Sequence, residues 1–142
     1  MDLTIILQGA TINIRVAIIL KTERGYILEL NKKGYYFFLG GRIKLGENSL
    51  DAAKREVLEE TGLEIDNLEF VSILENFWTE ADGHKVQEIC FVYKASDIKT
   101  IDSKFSLKEF TKEEMKNMDI RPEIIKKMII DDELNSVSHF IV

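Results

Sequence analysis

One well-capped helix set among strand-patterned segments constrains this chain more than any other feature. Ser49 to Thr61 reads as helical, with Asn48 or Ser49 as the N-cap and Gly62 where a left-handed C-terminal residue is wanted. Before it, Ile12 to Leu20 alternates as a strand, with Ile12, Ile14, Val16, Ile18 and Leu20 on one face and Asn13, Arg15, Ala17 and Ile19 on the other. Turns at Glu23-Arg24-Gly25 and Asn31-Lys32-Lys33-Gly34 separate two further strands, Tyr26 to Leu30 and Tyr35 to Leu39, giving a meander. After the helix, strands at about Leu68 to Asn76 and Val86 to Lys94 flank Asp82-Gly83 and read as a hairpin. Thr111-Lys112-Glu113-Glu114 has capping-box spacing, and Pro122 suits the first turn of a last helix reaching about Leu134. Strands and helices in this irregular order do not make a parallel strand-helix alternation. They predict an α+β chain with a mixed sheet sandwiched by helices.

Composition narrows the functional classes. A chain of 142 residues with 45% apolar and 31% charged residues is long enough to close one core, and residues 1–142 show no linker or repeat, so one domain is expected. The formal charge of -6, without a dense Lys/Arg patch, argues against broad nucleic-acid or anionic-membrane capture. An acidic protein that handles phosphates needs a cation as go-between. The lone Cys90 excludes an intramolecular disulfide and a thiolate zinc site, which suggests a reducing, cytoplasmic setting. No export signal or bilayer-spanning run is visible.

The helix itself carries the chemistry. Glu56, Glu59 and Glu60 stand in the i, i+3, i+4 relation and project from one face within a turn. Like charges so placed cost a helix about 0.2 to 0.5 kcal/mol per pair and raise carboxylate pKa values when no cation is present. Such a stretch is most often a plain solvated face. If instead it holds an ion, oxygen-only donors favour Mg²⁺ or Mn²⁺ over zinc. Leu50, Ala53 and Val57, on the adjacent arc, would pack the helix against the sheet.

The surrounding residues decide between these readings. Gly41, Glu47, Arg55, Glu56, Val57, Glu59, Glu60, Gly62 and Leu63 fill without mismatch the box of the Nudix hydrolase family, which this segment resembles. Chance would produce its fixed identities in about one of 10⁸ windows or fewer. The resemblance implies an α/β/α sandwich and hydrolysis of a nucleoside diphosphate linked to another group, by metal-assisted water attack at phosphorus. It implies Glu59 and Glu60 as metal ligands, Glu56 as a ligand or the base, and the Gly40 carbonyl as a further ligand. Arg55 would hold the carboxylates by charge-assisted hydrogen bonds, with Glu47 as its partner or as an outer ligand of the ion. Many members have Pro before the paired glycines, where this chain has Leu39. A homodimer is a candidate assembly by the same resemblance, and a non-catalytic nucleotide-binding or sensor module is the rival function.

Outside the box, Glu88 shares a strand face with Val86, Cys90 and Val92, so its carboxylate needs a partner. It is either a further metal ligand or base, as acidic residues outside the box are in many Nudix enzymes, or one half of an ion pair with Arg15 or Arg42. Arg15, Arg24 and Arg42 are candidates to grip phosphates, Arg15 foremost, against the commoner alternative for each of a surface or structural ion pair. Trp78, with Phe77 at a strand end, is the candidate to stack a base, against the alternative of core or dimer packing.

Overall fold

The computed structural model describes residues 1–99, 101, 106–134 and 138–141, the last four in their backbone only. Among these, ten strands and three helices follow in the order β1 (Thr4–Leu7), β2 (Ala10–Thr22), β3 (Tyr26–Leu30), β4 (Tyr36–Phe37), β5 (Leu39–Arg42), α1 (Ser49–Thr61), β6 (Glu69–Thr79), β7 (Lys85–Ile98), β8 (Leu107–Phe110), α2 (Lys112–Met115), β9 (Ile120–Arg121), α3 (Glu123–Ile130) and β10 (Ser138–Ile141). They build one curled mixed sheet ordered β10-β6-β7-β2-β3-β4-β9, with β1 and β5 also on β2, and β8 on β3. β2 runs parallel to β7 and antiparallel to β3 and β5, while β6 and β7 form an antiparallel hairpin.

The alternation of β2 separates two cores as its sequence predicts. Val16, Ile18 and Leu20 join Ala52, Ala53 and Val57 of α1 on one side, with Leu50 packed against them. Ala17 and Ile19 join Met115 of α2 and Ile125, Met128 and Ile129 of α3 on the other. Helices therefore cover both faces of the sheet. No helix among the described residues is long and apolar enough to cross a membrane.

Helix α1 has the predicted limits. The Asn48 side chain accepts from the Asp51 amide at 2.9 Å, and Gly62, at φ 73°, donates its N–H to the Leu58 carbonyl. The capping box of Thr111 and Glu114 also forms, over one turn. Two expectations are corrected. The strand Tyr35 to Leu39 divides at Phe38, with β4 pairing β3 and β5 pairing β2. At Gly40 the backbone lies so close to β2 that a Cβ would fall 2.1 Å from the Val16 carbonyl oxygen, an approach only glycine permits. The last helix stops at Ile130, four residues early, because the chain turns at Asp131 and takes a left-handed conformation at Asp132 (φ 57°).

Candidate active site

The registers of four strands set side chains in rows on the α3 side of the sheet. Asn76 of β6, Glu88 of β7 and Asn13 of β2 form one row. Leu74, Cys90, Arg15 and Arg42 form the next, and β5 ends it. Apart from the buried Leu74, these rows floor a cleft of about 1200 Å³, whose walls include Gly41, Phe38, Trp78 and Arg121. Arg24 is not among its lining residues and pairs instead with Glu109 at 3.9 Å. Tyr36 packs edge-on against Phe110, and Phe38 is buried.

At the Gly41 end, Arg55 organises the acidic side chains. Its Nε and Nη2 donate to the two Glu47 oxygens at 2.7 and 2.9 Å, a bidentate pair. Its Nη1 donates to Glu56 at 2.6 Å and Glu59 at 3.3 Å, and Nη2 also reaches the Arg42 carbonyl at 3.1 Å. One guanidinium thus engages three carboxylates and the end of β5. The hydrogen bond from Arg55 holds the Glu47 carboxyl below the usual carboxylate range, and the same pairing raises the guanidinium pKa.

Gly41 provides the space for this arrangement. A Cβ there would lie 2.3–2.6 Å from the carboxylate atoms of Glu56, so that carboxylate occupies the volume a side chain would fill. Glu56 is consequently buried although charged.

Glu60 differs from its neighbours. Burial, chiefly, and then the charges of Glu29 and Glu56 push its carboxyl up to about 8, against a smaller lowering by Arg15. Its Oε2 is buried without a hydrogen-bond partner. Crowding thus contributes as expected, but desolvation comes first. Glu29 on β3, whose own carboxyl is raised by burial, was not anticipated. Its signal in the sequence is a lone acid in the apolar strand Tyr26 to Leu30.

The glutamates are neighbours, yet their heads diverge. Among the described residues no group of three or more His, Cys, Asp or Glu side chains is gathered closely enough to hold a metal ion as it stands. Arg55 draws Glu47, Glu56 and Glu59 to itself, and Glu59, 53% exposed, also lies 4.0 Å from Lys44. The donor set nonetheless suits a hard cation. It is all oxygen, it includes an unpartnered buried carboxylate oxygen on Glu60, and the Glu56 carboxylate sits in a cradle made by a missing side chain.

Glu88 faces Arg15 at 3.7 Å and accepts a 3.3 Å hydrogen bond from Asn76. Arg42 does not pair with it and lies 3.8 Å from Asp2 instead. Neither contact on Glu88 is short, and Arg15 Nε is buried without a partner. Cys90, beneath them, has its thiol pushed up to about 12 by burial. Trp78, 41% exposed, stands on the rim of the cleft beside Phe77, so core packing does not account for it.

The fold and this glutamate-arginine constellation define a Nudix-type domain, and the comparisons agree. The family model for the NUDIX domain matches residues 11–125, and the chain belongs to that family. A curated relative, the 8-oxo-dGTP diphosphatase of Buchnera aphidicola subsp. Schizaphis graminum, is 37% identical over 70 residues. That match takes in 46% of this chain and about half, 54%, of the relative's length. Among solved structures, a mutator MutT protein from Bacillus halodurans superposes with a TM-score of 0.70 at 21% identity, covering 91% of this chain and 90% of that one. The NUDIX domain of Shewanella oneidensis NrtR, complexed with ADP ribose, gives a TM-score of 0.65 at 17% identity, covering 87% and 88%.

Proposed function

We propose that this chain hydrolyses a phosphoanhydride bond in a nucleoside di- or triphosphate, or in a nucleoside diphosphate linked to another group, with Mg²⁺ or Mn²⁺ as its cofactor. The observation that carries the reading is the box helix itself: one arginine clamps Glu47, Glu56 and Glu59, and beside them Glu60 keeps a buried carboxylate oxygen without a partner. An acidic cluster so restrained is well suited to a hard cation and poorly suited to binding a polyphosphate unaided. The Gly40 carbonyl, Glu56, Glu59, Glu60 and Glu88 are the groups that would hold the ion. When bound, it would supply positive charge against the phosphates and favour deprotonation of water.

The chain's own side chains account for the rest. Arg15 offers an unpartnered donor in the cleft, and Arg42 stands beside it at the end of β5, so both can neutralise phosphate oxygens. Two carboxylates are placed to accept a proton from the attacking water. Glu56 is held by a short bond to Arg55, whereas Glu88 has only longer contacts, to Arg15 and Asn76, and is the less committed acceptor. Arg55 acts through the glutamates and is a positioning residue. The curated relative's printed name, 8-oxo-dGTP diphosphatase, supports a nucleoside triphosphate as the first substrate to try.

The test is a substrate panel of nucleoside triphosphates, nucleotide sugars and dinucleotides with Mg²⁺, read by phosphate release and mass analysis and repeated in EDTA. Cation-dependent cleavage of an anhydride is expected. Binding without cleavage of any member would overturn the enzyme reading in favour of a sensor module.

A further inference from the structure

A second cavity, of about 110 Å³, lies on the α3 side of the sheet, further along β2 than the cleft. Arg15 and Ala17 line the cleft, whereas Ile19 and Lys21, which follow on the same face of the strand, line the cavity. Register sets Lys94 of β7 beside Ile19 and Tyr26 of β3 beside Lys21. Ser96 of β7 and Asp132, just beyond α3, complete the polar lining.

These groups are donors short of acceptors. Tyr26 is only 7% exposed, and its hydroxyl has no hydrogen-bond partner among the described residues. Burial, and then the Asp132 charge, raise the phenol's pKa, so it stays protonated and able to donate. Lys21 likewise has no ion-paired partner among the described residues. The Lys94 ammonium pairs with Glu69 at 3.3 Å, but that carboxylate is 69% exposed and neutralises it weakly. Asp132, the one carboxylate among the described lining residues, is already engaged by Lys112 at 2.7 Å.

We propose that this cavity is a second binding site, for a tetrahedral oxyanion of the phosphate type, held by Lys21, Lys94, Ser96 and the Tyr26 hydroxyl. Ammonium groups can only donate, and a buried hydroxyl left without a partner gains most from an ionised acceptor. Size sets the ligand. Pockets that enclose drug-sized molecules run to about 300–1,000 Å³, so a cavity of about 110 Å³ admits a phosphoryl group and not a whole nucleotide. The site shares no described lining residue with the cleft and does not depend on the phosphoanhydride reading.

Nitrogen-15-labelled, metal-free protein is titrated with potassium phosphate, with potassium chloride at matched ionic strength, and with a nucleoside 5′-monophosphate, while the backbone amide resonances are followed. The amides of Lys21, Tyr26, Lys94 and Ser96 should shift saturably with phosphate and not with chloride. Lys21→Met should weaken that affinity by roughly tenfold or more, the range of a charge-assisted hydrogen bond. Tyr26→Phe, which removes the hydroxyl and keeps the ring in the core, should weaken it several-fold. Shifts confined to cleft residues such as Arg15 and Gly41, shifts that chloride reproduces, or affinities within twofold of wild type in both variants would overturn the site. The monophosphate arm identifies the source of the anion. Tighter binding of the monophosphate than of phosphate at these four amides assigns the cavity to the terminal phosphate of a larger molecule, and the reverse assigns it to the free ion.

Discussion

Gly41→Ala isolates the contribution of the carboxylate cradle. The new Cβ would lie 2.3 Å from Oε1, 2.4 Å from Cδ and 2.6 Å from Oε2 of Glu56. Ordinary contact between such atoms needs roughly 3.5 Å, so the carboxylate must retreat by about 1 Å. The obstacle is the end of a flexible side chain, and the Gly41 backbone is not left-handed, so the fold survives. Retreat breaks the 2.6 Å bond from Arg55, a charge-assisted hydrogen bond whose loss costs about 1.5 to 3 kcal/mol. Displacement of a reacting group by about 1 Å lowers turnover on the order of 10²-fold. Gly40→Ala is the control with the opposite signature, because its Cβ would meet the Val16 carbonyl oxygen at 2.1 Å and Ala17 Cα at 3.0 Å, both backbone atoms. Thermal denaturation and steady-state hydrolysis with Mg²⁺ are measured on both variants. Gly41→Ala should lose a few degrees of Tm and most of its kcat, whereas Gly40→Ala should lose its cooperative fold. Wild-type turnover in Gly41→Ala, or a loss of stability matching Gly40→Ala, would refute the reasoning.

Other consequences follow from the same contacts. Glu60→Gln should abolish turnover while leaving metal-free Tm unchanged or higher, since it removes a carboxyl whose pKa burial has pushed up to about 8; a fall in Tm would contradict this. Arg55→Ala leaves three carboxylates uncompensated and should cost about 2 to 4 kcal/mol in urea denaturation, and Arg55→Lys should recover only part because it lacks the fork that grips Glu47. The Glu47 carboxyl is depressed in the folded state, so the stability it adds is present above its unfolded value of 4.5 and fades as pH falls through the lower folded value. Unfolding free energies of wild type and Glu47→Gln should therefore differ most near neutrality and converge in acid. Glu88→Gln should keep the fold, because the contacts it alters are 3.7 and 3.3 Å long, and lower kcat at saturating cation; an unchanged rate would remove Glu88 from the reaction.

Much of the framework is legible in the residues. The caps at Asn48 and Gly62 delimit α1, and the alternation of Ile12 to Leu20 assigns each side chain of β2 to the core it enters. These are local signals, written within a turn or a pleat. The division at Phe38 is not local, because it depends on how closely Gly40 approaches Val16 of another strand. The short strands β1, β8 and β9 also escape detection. Two to four residues carry too little periodicity, and partners such as β4 for β9 are set by the curl of the whole sheet. In the site, the box spacing places Arg55 beside the glutamates, but its short bonds to Glu47 and Glu56 depend on rotamers. The proximity of Glu29 to Glu60 and the stack of Arg121 on Tyr35 join segments far apart in the chain. Alternation indicates the face each side chain takes, not its distance from a neighbour.

The central claim is that the α1 glutamates seat a hard divalent ion. It is tested most directly by titrating Mn²⁺ into the metal-free protein and counting free ion by electron paramagnetic resonance, with a nucleotide present. Wild type should take up Mn²⁺ saturably, and Glu59→Gln and Glu60→Gln should each weaken that uptake by tenfold or more while remaining folded. Equal Mn²⁺ binding by wild type and both variants would contradict the account.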